Sequence, residues 1–249
     1  MGNTHRIEAV FFDLDDTLYD SLSPFRTAIA AVMALPGEFP IEQAYRRVRY
    51  HSDRLWEVYA EGKMELHEMR LQRVIQAFAE YGIAVDRAQS AEIQARYQEE
   101  QGRLTMTEGV LEVIGDLQRA GYDVGIITNG PVEHQWGKIR ALSLNQVIAE
   151  DRIFVSDGVG IAKPDPGIFR YVSKATGHAD EHCLYVGDSW RNDIAGAIEA
   201  GWRSIWLNRR GAEPDTDHVP YAVMSDMTLE LREALRALLT APIVHDAKG

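Results

Sequence analysis

The stretch that most limits how this chain can fold is residues 10–18, with the sequence VFFDLDDTL. Its apolar beginning predicts a buried β-strand, and three carboxylates and a hydroxyl follow where the strand ends. Carboxylates crowded at such a position repel one another unless a hard cation lies between them, and Mg²⁺ prefers oxygen ligands. An Asp-rich turn after a strand is the other interpretation, and this peptide alone leaves both open.

Composition limits the class of protein and its partners. The 249 residues are 45% hydrophobic and 26% charged, with a net charge of −12, as is typical of a soluble globular protein. The acidic excess argues against nucleic acid and anionic membranes as partners, so an anionic small substrate would need local positive charge. Residues 1–6 contain no apolar signal region, no stretch is apolar enough to span a bilayer, and Cys183 is the single cysteine. We therefore expect a cytoplasmic location.

Hydrophobic periodicity divides the chain into two kinds of segment. Residues 21–102 show helical patterns and no convincing strand, whereas strand and helix patterns alternate afterwards. The predicted strands are 7–12, 123–128, 153–155, 183–186 and 204–207, and the predicted helices include 132–142, 166–176, 194–200 and 229–239, before a frayed tail from residue 243. This alternation predicts an α/β fold with a doubly wound, mostly parallel, Rossmann-like sheet. We predict a core of residues 1–20 and 103–249, with residues 21–102 as an inserted all-α domain.

Six polar residues come together at one edge of the predicted sheet. Each lies at the carboxyl end of a predicted strand or in the loop that follows one: Asp13, Asp15, Thr128, Lys163, Asp188 and Asp193. The carboxyl ends of parallel strands share one edge, where ligands bind in this class of fold. Taken singly, each residue has an ordinary explanation as a turn former, a loop residue or a helix cap. Their shared edge favours a functional site.

Four motifs, in this order, resemble those of the haloacid dehalogenase superfamily. They are DLDDT at 13–17, TNG at 128–130, KPDP at 163–166, and GDS at 187–189 followed by Asn192 and Asp193. The resemblance covers nearly the whole chain and likens residues 21–102 to the helical cap of that family. The TNG motif with residues 133–140 is similar to the branch that contains pyrimidine 5′-nucleotidases and N-acylneuraminate 9-phosphatase. The resemblance implies a phosphatase.

In such a phosphatase the motif residues would act directly on a phosphate ester. Asp13 would attack phosphorus and form an aspartyl-phosphate. Asp15 would protonate the departing alcohol and then deprotonate the attacking water, which requires a pKa nearer neutrality; neighbouring carboxylates could raise it. Thr128, the backbone amide of Asn129 and Lys163 would stabilise the phosphoryl oxygens.

The resemblance also implies one Mg²⁺ ion at the same sheet edge. Its ligands would be a carboxylate oxygen of Asp13, the backbone carbonyl of Asp15 and the Asp188 carboxylate, with Asp193 orienting the metal site from nearby. A cation and a lysine would supply the local positive charge that the acidic composition otherwise lacks.

The implied substrate is a small organic phosphate, either a nucleoside monophosphate or a sugar phosphate. Arg47, in a basic cluster of the helical segment, and Trp190, just after Asp188, are candidates for substrate contact. For the arginines, a solvated helix face with intrahelical ion pairs is the favoured interpretation, whereas for the indole packing under the helical segment is as good an explanation as substrate contact.

Three other functions use similar residues. A haloacid dehalogenase of the same superfamily lacks an aspartate two positions after its nucleophile, so Asp15 favours a phosphatase. A phosphomutase would retain Asp15 and stays open. A non-enzymatic phospho-acceptor of the receiver type also combines acids, Thr and Lys, but its aspartate follows a middle strand and it has no long helical insert.

Overall fold

The computed structural model describes residues 6–225 and residue 233. The helix predicted at 229–239, the predicted tail from 243 and residues 1–5 of the segment without a signal region lie outside the described residues, apart from residue 233. The chain divides into two compact units, one that runs to Asp20 and resumes at Thr105, and one formed by Ser21–Leu104. Within the described part of the chain, no helix combines the length and apolar character needed to cross a membrane.

The unit Ser21–Leu104 is built from four helices. They are α1 (Leu22–Val32), α2 (Ile41–Ala60), α3 (Leu66–Ala79) and α4 (Arg87–Gln101). Aromatic rings fill its core: Phe25 packs against Tyr45, Phe78 and Tyr97 with ring centroids 5.1, 6.5 and 5.7 Å apart. Apolar residues spaced at helical intervals thus give this unit a core of its own.

In the described residues, the other unit is organised around a parallel sheet of six strands. They are β1 (Ala9–Phe12), β2 (Asp123–Thr128), β3 (Ile153–Val155), β4 (Cys183–Gly187), β5 (Arg203–Leu207) and β6 (Ala222–Met224). Their order across the sheet is β3-β2-β1-β4-β5-β6, which is the order of doubly wound nucleotide-binding folds. The direction of winding changes between β1 and β4, where Phe12 is in register with Val186. The predicted doubly wound α/β fold is therefore confirmed, and its ligand-binding edge lies beyond the ends of β1 and β4.

Up to residue 225, five α-helices of this unit connect the strands. They are α5 (Val110–Arg119), α6 (Val132–Ala141), α7 (Ser156–Val159), α8 (Gly167–Thr176) and α9 (Gly196–Glu199). The helix predicted at 194–200 differs: a π-helix covers Trp190–Ala195 and α9 follows it. Hydrogen bonds five residues apart leave no trace in a 3.6-residue hydrophobic pattern, so the sequence did not indicate the π-helix. Such segments often occur at functional sites, and this one carries Asp193.

Close packing at the centre of the sheet explains one glycine. Gly125 is in register with Phe11, and a Cβ at Gly125 would lie 2.2 Å from the Phe11 ring. Phe11 is fully buried and also packs against Trp202, with centroids 5.5 Å apart. The bulky side chain on β1 therefore requires a glycine at the facing position on β2.

Candidate active site

The centre of the site is an ion pair between the ends of β1 and β4. The Lys163 ammonium lies 2.6 Å from Oδ1 of Asp13 and 2.6 Å from Oδ1 of Asp193, and it donates to the Tyr185 hydroxyl at 2.8 Å. All four side chains are buried. Asp13 follows β1 directly, and its backbone N–H donates to the Val186 carbonyl, which extends the β1–β4 pairing by one residue. The sheet therefore fixes the position of the predicted nucleophile.

Three carboxylates at this point form a group that could hold a metal ion. One oxygen each of Asp13, Asp188 and Asp193 lies within 4.8 Å of the others. Hard carboxylate oxygens are the donors that Mg²⁺ prefers, so the donor set fits the predicted ion. Gly187 makes room for the Asp193 side chain, because a Cβ there would lie 2.5 Å from the Asp193 carboxylate. The Ser189 backbone N–H donates to Asp193 Oδ2 at 2.9 Å and fixes that side chain.

Burial and charge shift the titration of this group. Burial raises the pKa of Asp13 to about 7; the ammonium of Lys163 opposes the shift, and the carboxylates of Asp193 and Asp15 reinforce it. Burial lowers the pKa of a lysine, but the charges of Asp13 and Asp193 outweigh it and hold the pKa of Lys163 above its ordinary value. Lys163 is therefore a permanent cation. A second cation beside Asp13 would favour the ionised carboxylate that nucleophilic attack requires.

Asp15 has partners that the sequence did not indicate. The Lys138 ammonium lies 2.7 Å from Oδ1 and 2.8 Å from Oδ2 of Asp15, and the Gln135 amide donates to Oδ2 at 3.2 Å. The Tyr19 hydroxyl also donates to Oδ1. Gln135 and Lys138 lie on α6, three residues apart and both buried. From the sequence, the one available signal was that Gln135 and Lys138 share a helix face with Ile139; the structure shows this face to be buried, although core-facing helix positions are normally apolar.

The predicted phosphate-binding residues lie in the same network. Thr128 ends β2, and its hydroxyl accepts from the Gln135 amide. The Asn129 side chain donates to the Lys163 carbonyl at 2.8 Å, and its oxygen accepts from the Lys163 backbone N–H at 3.0 Å. Asn129 thereby ties the loop that carries Lys163 to the end of β2.

The two predicted substrate-contact residues have other partners. In the helical unit, the Arg47 guanidinium donates to both oxygens of Glu80, at 2.5 and 2.9 Å, and lies 4.0 Å from the centroid of the Tyr50 ring. Trp190 is buried in the sheet unit, 4.7 Å from Trp206 between ring centroids, and its indole N–H donates to Thr216. These contacts account for both side chains, and their contact with substrate stays a prediction.

One network thus contains seven of the nine predicted site residues, together with four that were not predicted to lie in it: Tyr19, Gln135, Lys138 and Tyr185. Its carboxylates are Asp13, Asp15, Asp188 and Asp193, and its ammonium groups are Lys138 and Lys163. When all four carboxylates are ionised, they carry two more negative charges than the two ammonium groups carry positive ones. A divalent cation would balance this excess. The arrangement offers a nucleophile, a second carboxylate for proton transfer and a fixed cation, which together suit group transfer from an anionic substrate.

Comparisons with known sequences agree with these motifs. A family model described as haloacid dehalogenase-like hydrolase matches residues 7–201. The putative HAD-hydrolase YfnB of Bacillus subtilis is 31% identical over 211 residues, which cover 82% of this chain and 85% of that protein. The glyceraldehyde 3-phosphate phosphatase of Methanothermobacter thermautotrophicus is 28% identical over 219 residues (86% and 91%). The N-acylneuraminate-9-phosphatase of Homo sapiens is 25% identical over 256 residues (94% and 95%).

Solved structures share the fold. The structure of YfnB bound to magnesium matches with a TM-score of 0.72 at 26% identity, over 95% of this chain and 100% of that one. The L-2-haloacid dehalogenase of Xanthobacter autotrophicus matches with a TM-score of 0.69 at 18% identity, over 92% and 98%. At 18% identity, the match to the dehalogenase shows a shared fold only.

Proposed function

The chain belongs to the haloacid dehalogenase-like hydrolases, as its motifs predict, and we propose that it is a Mg²⁺-dependent phosphatase of small organic phosphomonoesters. The observation that carries this proposal is Asp15, a second carboxylate held in the same network as the Asp13–Lys163 pair. Hydrolysis of a phosphate ester needs an acid for the departing alcohol and a base for water, and one carboxylate can serve as both. Phosphatases of a triose phosphate and of an acylneuraminate phosphate among the relatives support this substrate class.

The first half of the reaction transfers the phosphoryl group to the protein. An oxygen of Asp13 forms a bond to phosphorus while the bond from phosphorus to the alcohol oxygen breaks, and its electron pair stays on that oxygen. Asp15 gives the oxygen a proton, so the alcohol leaves neutral. The Thr128 hydroxyl, the Asn129 backbone amide and the Lys163 ammonium stabilise charge on the phosphoryl oxygens.

The second half releases phosphate. Water attacks the aspartyl-phosphate, Asp15 takes a proton from it, and the bond between phosphorus and Asp13 breaks so that the carboxylate is restored. Asp13, Asp188 and Asp193 would hold Mg²⁺ with the backbone carbonyl of Asp15, and the ion supplies charge neutralisation for a dianionic substrate. The magnesium named in the YfnB structure supports this choice of metal.

The test is a panel of phosphate esters assayed for free phosphate with and without Mg²⁺. We expect turnover of p-nitrophenyl phosphate and of at least one sugar phosphate or nucleoside monophosphate, lost on chelation and lowered at least about 10³-fold by Asp13→Asn. The matched control is Asp116→Asn on α5, an exposed aspartate whose ion pair with Arg119 is worth little.

The same panel separates the alternatives. An isomerised ester without free phosphate would indicate a phosphomutase, and chloride release from 2-chloropropionate would indicate a dehalogenase. A protein that takes phosphate from acetyl phosphate onto Asp13 without turnover would be a phospho-acceptor module. If the wild type released no more phosphate than the Asp13→Asn variant, the proposal would be wrong.

A further inference from the structure

We propose that Lys138 is a positioning residue that sets the orientation of the Asp15 carboxylate for proton transfer. This inference rests on the proposed function, in which Asp15 is the acid and then the base. None of the four family motifs includes Lys138, and it lies ten residues beyond the end of β2, on α6. The contacts of Lys138 with Asp15 are the basis for assigning this role to Lys138.

The Lys138 ammonium bridges both oxygens of one carboxylate. Its distances to Oδ1 and Oδ2 of Asp15 are 2.7 and 2.8 Å, and the two side chains are 6% and 14% exposed. A cation centred on both oxygens fixes the plane of the carboxylate as well as its position. The pairing joins residues 123 positions apart, so it connects α6 to the loop after β1.

Two neutral donors also contact the Asp15 carboxylate. The Tyr19 hydroxyl donates to Oδ1, and the Gln135 amide donates to Oδ2 at 3.2 Å. A carboxylate has about four acceptor sites, so contacts from Lys138, Tyr19 and Gln135 restrict the directions in which Asp15 can give or take a proton. The Gln135 amide also donates to the Thr128 hydroxyl, which links the acid/base to a predicted phosphate ligand.

Position matters because proton transfer requires short contact with the reacting oxygen. A general acid contributes about 10²- to 10⁴-fold only when it reaches that oxygen within hydrogen-bond distance. A buried lysine is costly to a fold unless it is paired, and a methionine of similar length would fill the same space without that cost. Filling space therefore does not explain a lysine at this position, whereas contact of its ammonium with the Asp15 carboxylate does.

The test compares two esters in the Mg²⁺-loaded enzyme. An alkyl phosphate needs its leaving oxygen protonated, whereas p-nitrophenolate leaves without a proton, and kcat/KM reports the step that forms the aspartyl-phosphate. For Lys138→Met we expect kcat/KM to fall about 100-fold on the best alkyl phosphate of the panel and less than about 3-fold on p-nitrophenyl phosphate. On p-nitrophenyl phosphate kcat and KM should fall together, because water attack still needs the base.

Two reference variants accompany it. Asp15→Asn should also lower kcat/KM more on the alkyl phosphate than on p-nitrophenyl phosphate, and by a larger factor than Lys138→Met, since it removes the acid and base altogether. Lys174→Met, an exposed lysine on α8, is the matched control and should change neither ester. Circular dichroism establishes that Lys138→Met is folded; if it is not, Lys138→Gln, which keeps one donor toward the carboxylate, should show the same asymmetry in smaller measure.

The outcomes separate this proposal from the proposed function. A Lys138 variant that lowers kcat/KM equally on both esters, or on neither, would overturn the positioning role while Asp15→Asn retains its asymmetry. Loss of the asymmetry in Asp15→Asn would instead refute the acid/base assignment. A wild type that hydrolyses neither ester would refute the proposed function itself.

Discussion

Replacing Lys163 with methionine tests the charge balance of the site through stability instead of activity. The substitution keeps the apolar stem and the length of the side chain but removes the ammonium that lies 2.6 Å from both Asp13 and Asp193. All three side chains are at most 8% exposed, so water cannot replace the lost partner. The two carboxylates would then face each other directly.

The expected loss follows from two estimates. Removing one partner of a buried ion pair costs about 3–5 kcal/mol. Two carboxylates within 4.8 Å of each other repel by at least about 3 kcal/mol at an effective dielectric constant of about 20. Protonation of one carboxylate relieves part of this repulsion, so the terms do not add, and we expect the free energy of unfolding to fall by about 3–5 kcal/mol at pH 8.

The loss should depend on pH in a defined direction. The pKa of Asp13 is already raised to about 7 with Lys163 present. Between the ordinary pKa of an aspartate and this raised value, the folded protein therefore holds a proton that the unfolded chain has released. Such a group favours folding at low pH, and that contribution disappears as the pH rises through the folded-state pKa. Lys163→Met raises this pKa further, so its cost should shrink between pH 8 and pH 5.

Urea unfolding followed by tryptophan fluorescence measures this, in EDTA at pH 5 and pH 8. Lys174→Met is the matched control. Added Mg²⁺ should recover part of the loss at pH 8, because a cation among the carboxylates stabilises only the folded chain. A cost below about 1 kcal/mol at pH 8, or a cost that grows toward pH 5, would refute the buried-pair reasoning.

Three further changes test neighbouring parts of the site. Gly187→Ala places a Cβ 2.5 Å from the Asp193 carboxylate, so calorimetric titration should show Mg²⁺ affinity lower by roughly 10- to 100-fold; unchanged affinity would contradict the crowding. Asn129→Ala removes both hydrogen bonds to the Lys163 backbone and should cost about 1–3 kcal/mol in urea unfolding and lower kcat, whereas a neutral result would mean that the loop holds itself. Burial raises the pKa of Cys183 to about 12, so iodoacetamide should label it in urea and not in buffer, as mass spectrometry would show; rapid labelling in buffer would count against this burial.

The sequence alone predicts those site residues that lie at the end of a predicted strand. Asp13 and Thr128 follow short apolar runs, and Asp188 follows another, so alternation of strands and helices is enough to place them at one sheet edge. The edge strand β6 was not predicted because three residues with one buried side chain carry no period. Lys138 was missed for a different reason: its spacing from Gln135 is that of any helix, and only the β1 loop packed against it shows why the buried face is polar.

The contacts of the two lysines explain why this acidic site would need a further cation to attract an anionic substrate. Lys163 is held between Asp13 and Asp193, and Lys138 is held on both oxygens of Asp15, so each ammonium is neutralised by the carboxylates that it orders. Lysine charge that is already paired adds little attraction for an incoming phosphate dianion. Attraction must therefore come from charge added to the network, and the cluster of Asp13, Asp188 and Asp193 is where a divalent cation would add it. On this reasoning the lysines set the geometry of the carboxylates, and a bound Mg²⁺ ion would set the affinity for phosphate as well as the rate.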